Sequence, residues 1–226
     1  MAKKIVLSIN DGYVATFFPE NRIKTKLQIL IILMETVRYV LNSPVTQIIG
    51  KDIENKIILN IDKMSRVFYI CKNKAYSIVF PFKITTGTNF IMSYKNVFTF
   101  DSHSISVIIS TLKILQELSD LTNESCYNFI EPIMNIEDEE VNYWIIIKML
   151  LLMEDGYIRY DIDHAGYKKA FEDEKPHTHP IHHLDVFYSA NTTFKLGLKS
   201  ELSHDGFLDT LDINTDCLYL DCFKTK

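Results

Sequence analysis

"RVFYICKNKAYSIVF", residues 66–80, places two runs of β-branched and aromatic residues on either side of Lys72-Asn73-Lys74. Such runs suit a pleated, half-buried surface, and the short polar piece between them is turn-like, so the stretch reads as an antiparallel hairpin. The texture continues on both sides. "KIILNI" (56–61) precedes it, and "NFIMSY" (89–94) and "NVFTF" (96–100) follow, beyond the turn Thr86-Gly87-Thr88. Lys56 to Phe100 is therefore predicted to be a meander of four or five antiparallel strands.

Upstream, the opening dozen residues predict a strand and a turn at Asn10-Asp11-Gly12. "NRIKTKLQILIILMETVRYVL" (21–41) then has helical periodicity, with Ile23, Leu27, Leu30, Met34, Val37 and Leu41 on one face. Asn21 is the expected N-cap, and Asn42-Ser43-Pro44 ends the helix because the residue before proline is pushed out of the α region. Downstream, Asp101 and Ser102 introduce the helix "ISVIISTLKILQEL". A further helix, from roughly Asp138 to Glu154, begins with acidic residues that suit its dipole. It is apolar almost all round, which places it centrally.

The last third returns to strands: "GYIRYDID" (156–163), "HHLDVFY" (182–188) and "TFKLGL" (193–198), the last two joined by a turn from Ser189 to Thr192. "DGFLDTL" (205–211) reads as a helical turn and "CLYLDCF" (217–223) as a closing strand. The expected class is α+β, an antiparallel meander with packed helices and a C-terminal antiparallel sheet carrying a His-rich strand. One domain over 1–226 is expected, with a subdivision near 101 as the alternative.

Composition bounds the function. The chain has 226 residues, 47% of them hydrophobic and 23% charged, an ordinary globular balance with room for a real core. Its net charge of −5 conceals an asymmetry. Residues 1–100 hold 14 basic against 6 acidic side chains, residues 101–226 hold 10 against 23, and such a split suits a basic binding face. Phe68, Tyr69, Tyr76 and Phe80 among the lysines offer either stacking for a nucleic acid or simple core packing. The four cysteines form no CxxC pair, and the apolar runs at 27–34 and 144–153 are too short to span a bilayer. A reducing cytoplasm and no membrane partner are the expectation. No P-loop, GxSxG, HExxH or EF-hand pattern is present.

The chemistry concentrates in "KPHTHPIHHLDVFY" (175–188), which carries four of the seven histidines: His177, His179, His182 and His183. Strand alternation puts residues two apart on one face. Tyr157, Arg159, Asp161 and Asp163 then share a face of one strand, His183 and Asp185 of the next, and Lys195 lies on the corresponding side of the third. His183 is the candidate general acid or base, oriented by Asp161 or Asp185, with Arg159 and Lys195 holding a phosphate and His177 and His179 reaching in from the loop. His182 alternates to the apolar side. Three readings stand: a solvated polar face, a metal-free catalytic or anion-binding site, and a divalent metal bound at the histidine cluster. No metal motif is recognisable, so the cofactor is left open and no metal ligand is named.

The order "IRYDID", a charged loop, then "HPIHHLD" resembles an uncharacterised bacterial domain family found among phage-defence and toxin–antitoxin genes. Its likeness rests on an Arg-Tyr-Asp strand and a His-Pro-x-x-His-Leu segment, which here are Arg159, Tyr160, Asp161, His179, Pro180, His183 and Leu184. The likeness covers about 60 residues, and the "TFKLGL" strand departs from the family's Arg-Ile-Pro flavour. It implies a defence or toxin-type protein acting on RNA or DNA, with metal-independent RNA cleavage as the leading activity and nuclease or phosphodiesterase as the enzyme class. The alternative is a non-catalytic subunit that contacts nucleic acid or a protein partner in a defence complex.

Overall fold

A computed structural model describes residues 3–45, 54–61, 64–121, 131–132, 134–135, 141–189 and 192–216. The hairpin at 66–80 is its centre. β3 (Arg66–Cys71) and β4 (Lys74–Val79) pair antiparallel, and β2 (Lys56–Ile61) and β1 (Lys3–Ser8) continue the sheet on one side. On the other side β4 pairs with β8 (Ile158–Ile162), followed by β9 (His182–Ser189) and β10 (Thr192–Gly197). The result is one seven-stranded antiparallel sheet ordered β1-β2-β3-β4-β8-β9-β10.

The α+β class is as expected, but the strands are shared out differently. The C-terminal strands form no sheet of their own. They extend the N-terminal one, and the β4–β8 pairing carries it across residue 101. The later part of the meander leaves instead: β5 (Lys83–Thr86), β6 (Phe90–Tyr94) and β7 (Phe98–Thr99) make a separate three-stranded sheet. Pro81 lacks the N–H that would continue a ladder, and it stands where the chain turns from one sheet to the other.

Helices cover one face of the large sheet. α2 (Lys26–Leu41) starts at Thr25, which forms a capping box with Gln28: each residue's side chain accepts from the other's backbone N–H, both at 3.2 Å. The cap is therefore Thr25, and Asn21 sits in the segment leading to it. The α2 residues Leu30, Leu33, Met34 and Val37 join Leu59, Val67, Tyr69 and Tyr76 of the sheet in the main core. α3 (Ser102–Leu121) and the nearly all-apolar α4 (Val141–Leu152) pack into the same core. The opposite face carries a smaller core in which Phe207 and Leu208 of α6 (His204–Asp209) lie against Phe68, Tyr160 and Leu184. Both faces of the C-terminal strands are thus covered.

Two helices occupy sequence that reads as turn or loop. α1 (Asp11–Phe17) replaces the turn expected at Asn10-Asp11-Gly12, because Phe17 is buried in the aromatic cluster with Tyr39 and Tyr69. α5 (His164–Glu172) fills the charged connection after β8 and is capped by Asp163, which accepts from the Gly166 N–H at 2.7 Å. The closing strand expected at 217–223 lies outside the described residues. Phe68, Tyr69, Tyr76 and Phe80 are all fully buried, so burial decides for core packing and leaves them no stacking surface for nucleic acid.

Candidate functional site

The register builds the site row by row. Asp185 stands opposite Arg159 on one side and Lys195 on the other, and His183 stands opposite Asp161 and Gly197. On the next strand in, Lys74 faces Asp161 and Tyr76 faces Arg159. Directly opposed residues in an antiparallel sheet share a face, so Arg159, Asp161, His183, Asp185 and Lys195 converge as their odd numbering predicts.

The surface they share is not the solvated outer face, however. It is the face that carries Tyr69, Tyr76 and Tyr157 beneath the helices. The reading as a plain solvated polar face is overturned: Asp185 and His183 are fully buried and Arg159 is 7% exposed.

Asp185 is the hub. Its carboxylate accepts from an Arg159 guanidinium N–H and, at 2.8 Å, from the Lys195 ammonium. The Arg159 Nε–H donates to Asp161 at 2.6 Å, using the i, i+2 relation along β8. The His183 Nδ1 lies 2.8 Å from the Pro180 carbonyl, which can only accept. Nδ1 therefore carries the proton and Nε2 the lone pair. That lone pair accepts from the Lys195 Nζ at 2.7 Å. Gly197 opposite His183 leaves room for this arrangement, since a Cβ there would stand 2.8 Å from the Pro180 ring.

The electrostatics follow from this geometry. Burial and the neighbouring Lys195 charge push the His183 pKa below its ordinary value, so the imidazole is neutral at neutral pH. Burial alone would raise the Asp185 carboxyl, but the Lys195 hydrogen bond and the Arg159 charge outweigh it and hold the group below the usual carboxylate range. For Arg159, burial opposes the charge and is overcome by Asp161, Tyr157 and Asp185, leaving it above its ordinary value. Burial lowers Lys74. The side chains of Asp161 and Lys195 are 16% and 28% exposed and form the open edge of the cluster.

Two members escape a sequence reading. Arg22, from the segment before α2, lies 3.5 Å from Asp185 and 5.0 Å from the centre of the Phe187 ring, with 43% of its side chain exposed. No strand rule reaches it, because it arrives from a loop. Lys74 was legible in principle, since it follows from pairing β4 with β8. Tyr157, two residues before Arg159, shares its face, as the sequence predicts. Burial pushes the Tyr157 phenol up to about 12, and its hydroxyl is the one buried side-chain polar atom without a hydrogen-bond partner among the described residues.

The other histidines divide. His179 pairs with Asp163 at 2.8 Å, and its ring lies 4.9 Å from that of His183, edge to face. Burial would raise Asp163, but the Gly166 N–H and His179 hold it below its ordinary value. His179 thus buttresses His183 and the N-cap of α5, and Gly166 admits it, since a Cβ there would meet its Nε2 at 2.4 Å. His177 is exposed in the 3-10 turn Pro176–Thr178 and joins none of these contacts. His182 turns to the opposite face, half-buried, with Nδ1 at 3.3 Å from the Tyr160 hydroxyl.

Among the described residues no helix is long and apolar enough to cross a membrane. Comparison with family models, with curated proteins and with solved structures finds no match to this chain.

Proposed function

We propose that the protein acts on nucleic acid as a phosphodiesterase, with the cluster on β8, β9 and β10 as its reaction centre. The observation that carries this reading is a surplus of fixed cations over carboxylates around a neutral imidazole. Arg22, Lys74, Arg159 and Lys195 surround Asp161 and Asp185, and two of the four, Arg22 and Lys195, stand at the open edge. Such a field attracts an anion, and guanidinium and ammonium groups are the usual partners of phosphate oxygens.

Cleavage needs a nucleophile hydroxyl to lose its proton and bond to phosphorus while a P–O ester bond breaks and the leaving oxygen takes up a proton. Two acceptors serve the first step, the Asp161 carboxylate at the edge and the His183 lone pair behind Lys195. Lys195 and Arg22 hold the phosphate and offset the charge that builds on it. The likeness of residues 159–184 to the defence-associated family points to the same substrate class.

The test is turnover of end-labelled RNA and DNA, single- and double-stranded, with added Mn²⁺ and separately with EDTA. The wild type is expected to cut at least one of these substrates, and Lys195→Ala to cut it at least tenfold more slowly. Salt-sensitive retention of the strands with no cleavage under any condition would favour a binding subunit instead.

A further inference from the structure

We infer that Asp161, His183 and Asp185 form a divalent-metal site, and that Lys195 is the resident cation which the metal displaces. One oxygen from each carboxylate and the His183 Nε2 all lie within 4.8 Å of one another. Two of the separations are 3.7 Å, Nε2 to Asp161, and 3.9 Å, Nε2 to Asp185. Ligands held at about 2.1 Å from an ion stand roughly 3–3.5 Å apart. The three atoms therefore need to close by only about 0.5–1.5 Å, a motion within reach of side-chain rotation.

The imidazole is already arranged as a ligand. Its Nδ1–H is fixed on the Pro180 carbonyl, which orients the ring and leaves the Nε2 lone pair directed at the carboxylates, the usual outer partner of a metal-bound histidine. A cation also already sits at the junction. The Lys195 ammonium stands 2.7 Å from Nε2 and 2.8 Å from the Asp185 oxygen, so two of the three ligand atoms are engaged by one positive centre. One imidazole with two carboxylates suits a borderline ion such as Mn²⁺ or Zn²⁺.

Charge favours the exchange when a phosphate is present. With Lys195 seated, Arg159 and Lys195 balance the two carboxylates. With a divalent ion in its place the inner cluster carries a net positive charge, and the released Lys195 side chain, already partly exposed, turns outward to the same anion. The catalytic use of this site rests on the phosphodiesterase reading, with Asp161 and His183 serving as ligands in place of proton acceptors: water bound to the ion attacks phosphorus, one P–O ester bond breaks, and the water's proton ends on the leaving oxygen. The binding of the ion rests on the geometry alone.

The experiment is a calorimetric titration of Mn²⁺ into EDTA-dialysed, metal-free protein. Wild type, Lys195→Ala and Asp161→Asn are compared, each checked for folding by circular dichroism. Removing the competing ammonium is expected to raise the affinity at least tenfold in Lys195→Ala, with one ion per chain. Removing a ligand charge is expected to weaken it at least tenfold in Asp161→Asn. The inference is overturned if Lys195→Ala shows no saturable binding, if it binds no more tightly than the wild type, or if Asp161→Asn binds as the wild type does. The two proposals fail separately. Mn²⁺ binding without nucleic-acid turnover removes the phosphodiesterase, and turnover in EDTA by a protein that binds no Mn²⁺ removes the metal.

Discussion

Asp185→Ala is expected to lose about 3–5 kcal/mol of folding stability, read as a fall in the urea midpoint. The carboxylate is fully buried and accepts from both Arg159 and Lys195. Truncating it leaves the buried guanidinium with Asp161 as its remaining carboxylate and facing the Lys195 ammonium, so the loss includes the desolvation of charge that one carboxylate only partly offsets. Lys195 can swing toward water, since part of its side chain is exposed, but Arg159 sits between β4 and β9 and has nowhere comparable to go. Against a typical total of about 5–15 kcal/mol this is a large fraction, and for a chain of this size it corresponds to a melting temperature lower by about 6–20 °C. A variant that melts within about 2 °C of the wild type would show that the charges are hydrated, contrary to the burial described.

Asp161→Asn is expected to behave in the opposite way, losing about 10²–10⁴-fold in cleavage rate with little change in stability. The side chain lies at the open edge of the cluster, accepting from the Arg159 Nε–H and standing 3.7 Å from the His183 Nε2. An asparagine oxygen can still accept that bond, so the fold loses about 1 kcal/mol or less. What disappears is a carboxylate charge that takes a proton or holds a cation. The measurement is kcat on the best labelled substrate beside the urea midpoint of the same preparation. Wild-type kcat in this variant would remove Asp161 from the reaction centre.

Much of this arrangement could be read from sequence, for a definite reason. In a β-strand the side-chain period is fixed at two, so the odd-numbered set Arg159, Asp161, His183, Asp185 and Lys195 had to share a side once the three strands were neighbours. Which side that was could not be read. Alternation shows that two faces differ, not which one is covered, and here the polar residues continue the row of Tyr69 and Tyr76 under the helices while Phe207 seals the other face. Arg22 was out of reach because its position depends on where α2 begins. The Thr25–Gln28 capping box shortens the helix expected from Asn21 and frees the segment that carries the arginine. α5 was hidden for a related reason: Asp163 alternates with Asp161 as a strand residue would, yet its side chain turns back to cap a helix.

The buried ions also pose a choice that stability alone does not settle. A buried ion pair is often no more stabilising than apolar residues of similar volume, so a network kept only for the fold should be replaceable. The most direct measurement is therefore the double variant Arg159→Met with Asp185→Leu, assayed for nucleic-acid cleavage and for its urea midpoint beside the wild type. The expected result is a folded protein within about 2 kcal/mol of wild-type stability that cuts neither RNA nor DNA at a measurable rate. Cleavage at the wild-type rate from that apolar replacement would contradict the claim that this cluster is where the chemistry happens.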